Sequence, residues 1–127
     1  RFMIYLDTHV VAWMYSSVGE KLSETAKQLI EGSDEILISP MVLLELDYLY
    51  EIGRIRGGSK VIYPYLRQKL ELSICERPFI KIIEFASSQS WTRDPFDRII
   101  ISQAAIGGNI LVTKDTKVLS RYSQAEW

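Results

Sequence analysis

Short apolar runs alternate with helix-patterned segments from one end of this chain to the other, and that alternation most restricts its fold. Phe2 to Leu6 is apolar without helical spacing and stops at Asp7-Thr8, as a strand buried on both faces does. Glu35 to Ile38, Leu72 to Cys75 and Asn109 to Thr113 read as further strands, with Ala125-Glu126-Trp127 a last edge strand. Helical patterns fill the gaps: Val10 to Tyr15 with Thr8 a candidate cap, a segment between Ser23 and Gly32, and one opened by Ser39-Pro40 and closed by Gly53. Lys60 to Leu70, Pro78 to Ser90, the stretch behind Asp94-Pro95 and Asp115 to Arg121 follow. Strands separated by helices predict an α/β fold, a central parallel sheet of about four or five strands covered by helices on both faces. At 127 residues the chain is expected to be a single domain spanning 1–127.

Two details of the helices matter later. Pro64 inside Lys60 to Leu70 is expected to kink that helix or mark its true start. In the helix after Ser39-Pro40, Val42, Leu46, Leu49 and Ile52 form the apolar stripe, and Ile82, Ile83, Phe85 and Ala86 do so after Pro78. Glu45 lies one helical step from both Val42 and Leu49, within the first of these stripes. A carboxylate there must find a partner or a metal, because an unpaired buried charge is costly.

With 47% apolar and 24% charged residues the chain has the make-up of an ordinary globular protein, and a net charge of −1 points to neither nucleic acid nor a membrane surface. No apolar run approaches the roughly 18 residues that cross a bilayer, so no membrane partner is expected. The first residues carry one basic side chain and an apolar run too short for a secretion signal. Cys75 is the single cysteine, with no Cys or His cluster around it. An internal disulfide is excluded, structural zinc is disfavoured, and a reducing, cytoplasmic setting is expected.

The stretch from Thr92 to Ala105 opens a helix with Asp94 at the N-cap, Pro95 at the first position and Asp97 at the third. Taken alone, these acids need no further explanation, since they satisfy free N–H groups and the helix dipole. Three other acids change that reading. Asp7 ends the first strand, Asp115 follows the strand that closes at Thr113, and Glu45 sits near the start of the helix after the second strand. In an open parallel sheet all four reach the end where ligands bind. Like charges gathered there repel, and hard oxygen donors favour Mg²⁺ or Mn²⁺, ions suited to activating water against a phosphodiester.

Taken together, Tyr5-Leu6-Asp7-Thr8, Leu44-Glu45-Leu46, Arg93-Asp94-Pro95-Phe96-Asp97-Arg98 with Ser102-Gln103-Ala104 behind it, and Leu111-Val112-Thr113-Lys114-Asp115 resemble a PIN-domain ribonuclease of the VapC toxin type over essentially the whole chain. The resemblance implies that Asp7, Glu45, Asp97 and Asp115 are catalytic and bind the Mg²⁺ or Mn²⁺, with Thr113 a supporting hydroxyl. Asp94 is read mainly as a cap and secondarily as a supporting acid. The resemblance further implies a metal-dependent endoribonuclease that leaves a 5′-phosphate and a 3′-hydroxyl. It also implies a homodimer and a cognate antitoxin that blocks the site.

Setting aside the four site acids from the 16 leaves 12 acidic against 15 basic residues. The remainder can therefore face RNA, and Arg98 and Lys114, which adjoin site acids, are the expected RNA-binding residues. His9 is expected to be structural, and the Tyr48/Tyr50 and Tyr63/Tyr65 pairs to pack between helices or subunits. Two other readings compete. A PIN fold that binds RNA or a partner without cutting would lack a metal acid, and all four positions are filled. A receiver-type signalling domain would need a middle strand ending in Asp, and none is found.

Overall fold

The computed structural model describes residues 2–16 and 21–127. The elements run β1 (Met3–Leu6), α1 (Thr8–Tyr15), α2 (Glu24–Gly32), β2 (Glu35–Ile38), α3 (Pro40–Glu51), α4 (Ser59–Leu70), β3 (Ser73–Ile74), α5 (Phe79–Ala86), α6 (Pro95–Ala105), β4 (Ile110–Val112), α7 (Thr116–Arg121) and β5 (Ala125–Glu126). The five strands form one parallel sheet in the order β3-β2-β1-β4-β5. In β1, Ile4, Tyr5 and Leu6 are all buried although neighbouring side chains point to opposite faces, so the sheet is covered on both sides as the alternation predicts.

Strand order reverses at β1. The chain leaves β1 toward β2 and β3, then returns to lay β4 against the other edge of β1. Such a reversal opens a crevice beyond the carboxyl ends of the two strands, because the connections depart to either side. Leu6 pairs with Val112, so the residues that follow β1 and β4 enter that crevice side by side.

Helix starts follow the capping chemistry of the sequence. Ser23, Ser39 and Asp94 each accept a backbone N–H of their helix, and Pro40 and Pro95 occupy first-turn positions. The cap of α1 differs from expectation: Asp7 takes that place and Thr8 is the first helical residue. Helix α4 begins at Ser59 and runs through Pro64 without a break, since that residue is exposed and the lost hydrogen bond falls on the solvent side. Helix α5 stops at Ala86, well short of Ser90. The Ser87 and Ser88 hydroxyls turn back onto the carbonyls of Ile83 and Phe85, which competes with another helical turn.

The apolar stripes are narrower than spacing suggests. Val42, Leu46 and Leu49 are buried, but Ile52 is 48% exposed because it is the C-cap, where the helical rotation has ended. On α5 only Ile82 and Ala86 are buried, with Ile83 and Phe85 half-buried. Leu46→Ala should therefore destabilise the fold by about 2–5 kcal/mol. Ile52→Ala should stay within about 0.5 kcal/mol, both measured by urea unfolding.

Candidate active site

The crevice beyond β1 and β4 is a cleft of about 430 Å³ lined by Asp7, His9, Trp13, Glu45, Asp94, Asp97, Lys114 and Asp115. The four acids expected to converge do so, and Asp94 joins them. Each arrives by a different local device. Asp7 is delivered by the end of β1 and Asp115 by the turn after β4. Asp97 stands in the first turn of α6, and Glu45 in the middle of α3 on the side that faces α1.

A hydrogen-bond chain sets the positions of Asp7, Glu45 and Asp115. The buried Thr113 Oγ1 donates to Asp7 Oδ2 at 2.6 Å and accepts the backbone N–H of Asp115 at 3.1 Å. The other oxygen of Asp7 accepts the Thr8 N–H at 2.8 Å, and the buried Thr8 Oγ1 donates to Glu45 Oε1 at 2.5 Å. This satisfies the carboxylate inside the α3 stripe. Asp115 caps α7 through the N–H groups of Lys117 and Val118, and Asp94 caps α6 through that of Phe96.

The electrostatics are those of crowded acids. Burial pushes Asp97 up to about 7, and the neighbouring charges of Asp7, Asp94, Asp115 and Glu45 push the same way. Burial also raises Asp7 and Glu45, opposed by the hydrogen bonds from Thr113 and Thr8. Lys114, the one lysine of the lining, lies within 5.7 Å of the Trp13 ring and 6.0 Å of the Trp127 ring. His9 is exposed, lines the cleft and leans on Trp13, so it is not the packed histidine expected.

Arg98 goes elsewhere. Its guanidinium donates to the carbonyls of Ala86 at 3.0 Å and Ser87 at 3.3 Å, closing the end of α5, and it does not line the acid cleft. Successive helical residues point roughly 100° apart, so Asp97 and its neighbour face different elements.

As the side chains stand, no group of three His, Cys, Asp or Glu among the described residues is arranged to hold a metal ion. The donor chemistry nevertheless fits a hard divalent cation: the acids supply only oxygen, and protonation is otherwise their means of relieving repulsion.

Because Asp97 binds its proton more tightly folded (near 7) than unfolded (near 3.8), it weakens the fold as pH rises through that interval. Asp97→Asn should raise the melting temperature at pH 8, and the gain should shrink toward zero as pH falls to about 4, followed by circular dichroism.

The PIN domain family matches residues 4–124. Ribonuclease VapC22 of Mycobacterium tuberculosis is 34% identical over 119 residues, covering 92% of this chain and 90% of the relative. Among solved structures, VapBC2 from Rickettsia felis bound to a promoter DNA fragment superposes with a TM-score of 0.69, at 19% identity, over 99% of both chains. A toxin–antitoxin complex from Klebsiella pneumoniae superposes with a TM-score of 0.64, at 18% identity, over 98% of this chain and 96% of its own. These likenesses cover the strands and helix starts that carry the acids, and the chain belongs to the PIN-domain family, with Ribonuclease VapC22 among its relatives.

Proposed function

We propose that the chain is a metal-dependent endoribonuclease and the toxin of a toxin–antitoxin pair. The convergence of Asp7, Glu45, Asp97 and Asp115 at the strand reversal is the observation that carries this reading. The 34% identity to a ribonuclease across nearly the whole chain supports it. Asp7, Glu45, Asp97 and Asp115 would hold Mg²⁺ or Mn²⁺, directly or through water, with Asp94 at the rim. When bound, such an ion activates water and offsets the charge that builds on a phosphodiester.

The chain's own residues have distinct tasks in this scheme. Thr113 and the Thr8 N–H keep Asp7 from turning away, and Thr8 does the same for Glu45. Such outer partners are what hold ligands in one orientation. With its carboxyl raised to about 7, Asp97 would hold a divalent cation in competition with its own proton. Lys114 brings a positive charge to the phosphate that enters among the acids.

A protein antitoxin and a second copy of the chain are the proposed partners. The similarity to solved toxin–antitoxin complexes supports the first, and the exposed Phe79 and Ile80 on α5 support the second.

Wild-type protein should cut single-stranded RNA in Mg²⁺ or Mn²⁺ and stop when the metal is chelated. Asp7→Asn and Asp97→Asn should each lower the rate at least about 100-fold, the scale of losing one group from a preorganised electrostatic site. Equal cleavage by folded variants would overturn the reading. Millimolar Mn²⁺ should also raise the melting temperature by several degrees at pH 8 and by less at pH 6, where protons compete at Asp97.

A further inference from the structure

A second cavity, of about 600 Å³, opens next to the acid cleft and shares His9 and Trp13 with it as a common wall. Its character is the reverse of its neighbour's. Lys21, Arg54 and Arg56 line it, and among the described residues no carboxylate does. The floor is apolar, built from Ala12 of α1, Leu49 of α3 and Ile62 of α4, and Tyr15 closes one side. Gly53 positions the loop that carries both arginines. Its φ of +78° lets the chain leave α3 through a left-handed turn, and the Arg54 N–H closes that turn on the Leu49 carbonyl at 2.8 Å.

The two arginines differ from the others that are fixed against the body of the protein. Arg77 is held by the Gln103 carbonyl and the Asn109 side chain, and Arg98 by the end of α5. The guanidiniums of Arg54 and Arg56 have neither a hydrogen bond nor a carboxylate partner among the described residues. Trp13 stands between the two clefts: Lys114 on the acid side and Lys21 on the basic side each stand 5.7 Å from its ring. A phosphodiester among five carboxylates meets one lysine there, so the attraction that holds an anionic strand must come from outside the acid cleft.

We propose that this cavity is the RNA subsite for the nucleotide adjoining the scissile phosphodiester, with Arg54 and Arg56 on its phosphate and its base on the apolar floor beside Tyr15. This rests on the acid cleft being the nuclease centre. Single-strand sites are built this way, with cations tracking the backbone and apolar or aromatic surface receiving bases without a sequence requirement.

The test uses the full chain carrying Asp97→Asn, so that RNA is not consumed, and a fluorescein-labelled single-stranded RNA of about eight nucleotides read by anisotropy. Adding Arg54→Ala with Arg56→Ala should weaken binding about 10-fold or more and lower the salt-dependence slope by about one. A charge-matched control, Lys27→Ala with Lys81→Ala, should leave both unchanged. In the otherwise wild-type enzyme, the arginine pair should raise KM for RNA cleavage while kcat stays near its original value. Unchanged affinity, or an equal loss in the lysine control, would overturn the subsite. So would binding of an Asp/Glu-rich peptide that the arginine pair abolishes while RNA binding persists, which would assign the cavity to a protein partner. Failure of the wild type to cut any RNA would instead remove the nuclease reading. A wild type that cuts RNA no better than the arginine variant removes this inference alone.

Discussion

The hydroxyl of Thr113, bonded to Asp7 at 2.6 Å, is the contact on which the site depends. It joins the ends of β4 and β1, the two strands at which the sheet reverses, and the chain of bonds continues through Thr8 to Glu45 on α3. Asp115 hangs from the same hydroxyl through its N–H. Two neutral, buried hydroxyls thus anchor acids that would otherwise push one another apart. A hydrogen bond to a charged acceptor is stronger than a neutral one, and here it partly offsets the cost of burying Asp7 and Glu45. Asp97 receives no such bond among the described residues, and burial, with the neighbouring charges behind it, raises its carboxyl to about 7.

The distribution of cations follows from the same constraint. A lysine or arginine bonded directly to these acids would neutralise them and compete with any metal. The chain keeps its strongest donors away: Arg98 closes α5, and Arg77 ties Asn109 and the Gln103 carbonyl together. Lys114 remains at the cleft but is held against tryptophan rings, not against a carboxylate. Positive charge without local partners among the described residues gathers next door, at Arg54 and Arg56. The result is an acid cleft beside a basic one, divided by Trp13.

Much of this was legible from local pattern. Strand and helix positions, the caps at Ser23, Ser39 and Asp94, and the convergence of four acids all follow from apolar spacing and turn chemistry, which depend on near neighbours in the chain. The misreadings share a cause. Arg98 adjoins Asp97 in sequence yet points to another element, and Ile52 continues a spacing whose helix has already ended. Local pattern left Thr8 open between a cap and a bond near the acids; Asp7 takes the cap position, which leaves the Thr8 hydroxyl for a partner 37 residues away. Trp13 gave no sequence signal, because its importance lies in separating two cavities.

By itself the sequence determined a parallel sheet with helices on both faces and four acids at its carboxyl end. Hydrophobic period and strand-end position are properties of short segments, and those four acids sit at segment ends or inside an apolar stripe. Only the tertiary structure decided which hydroxyls hold the acids, which arginines are engaged by carbonyls, and where unpaired positive charge faces a cavity. Those outcomes depend on which side chains from distant segments meet, and no local spacing encodes that.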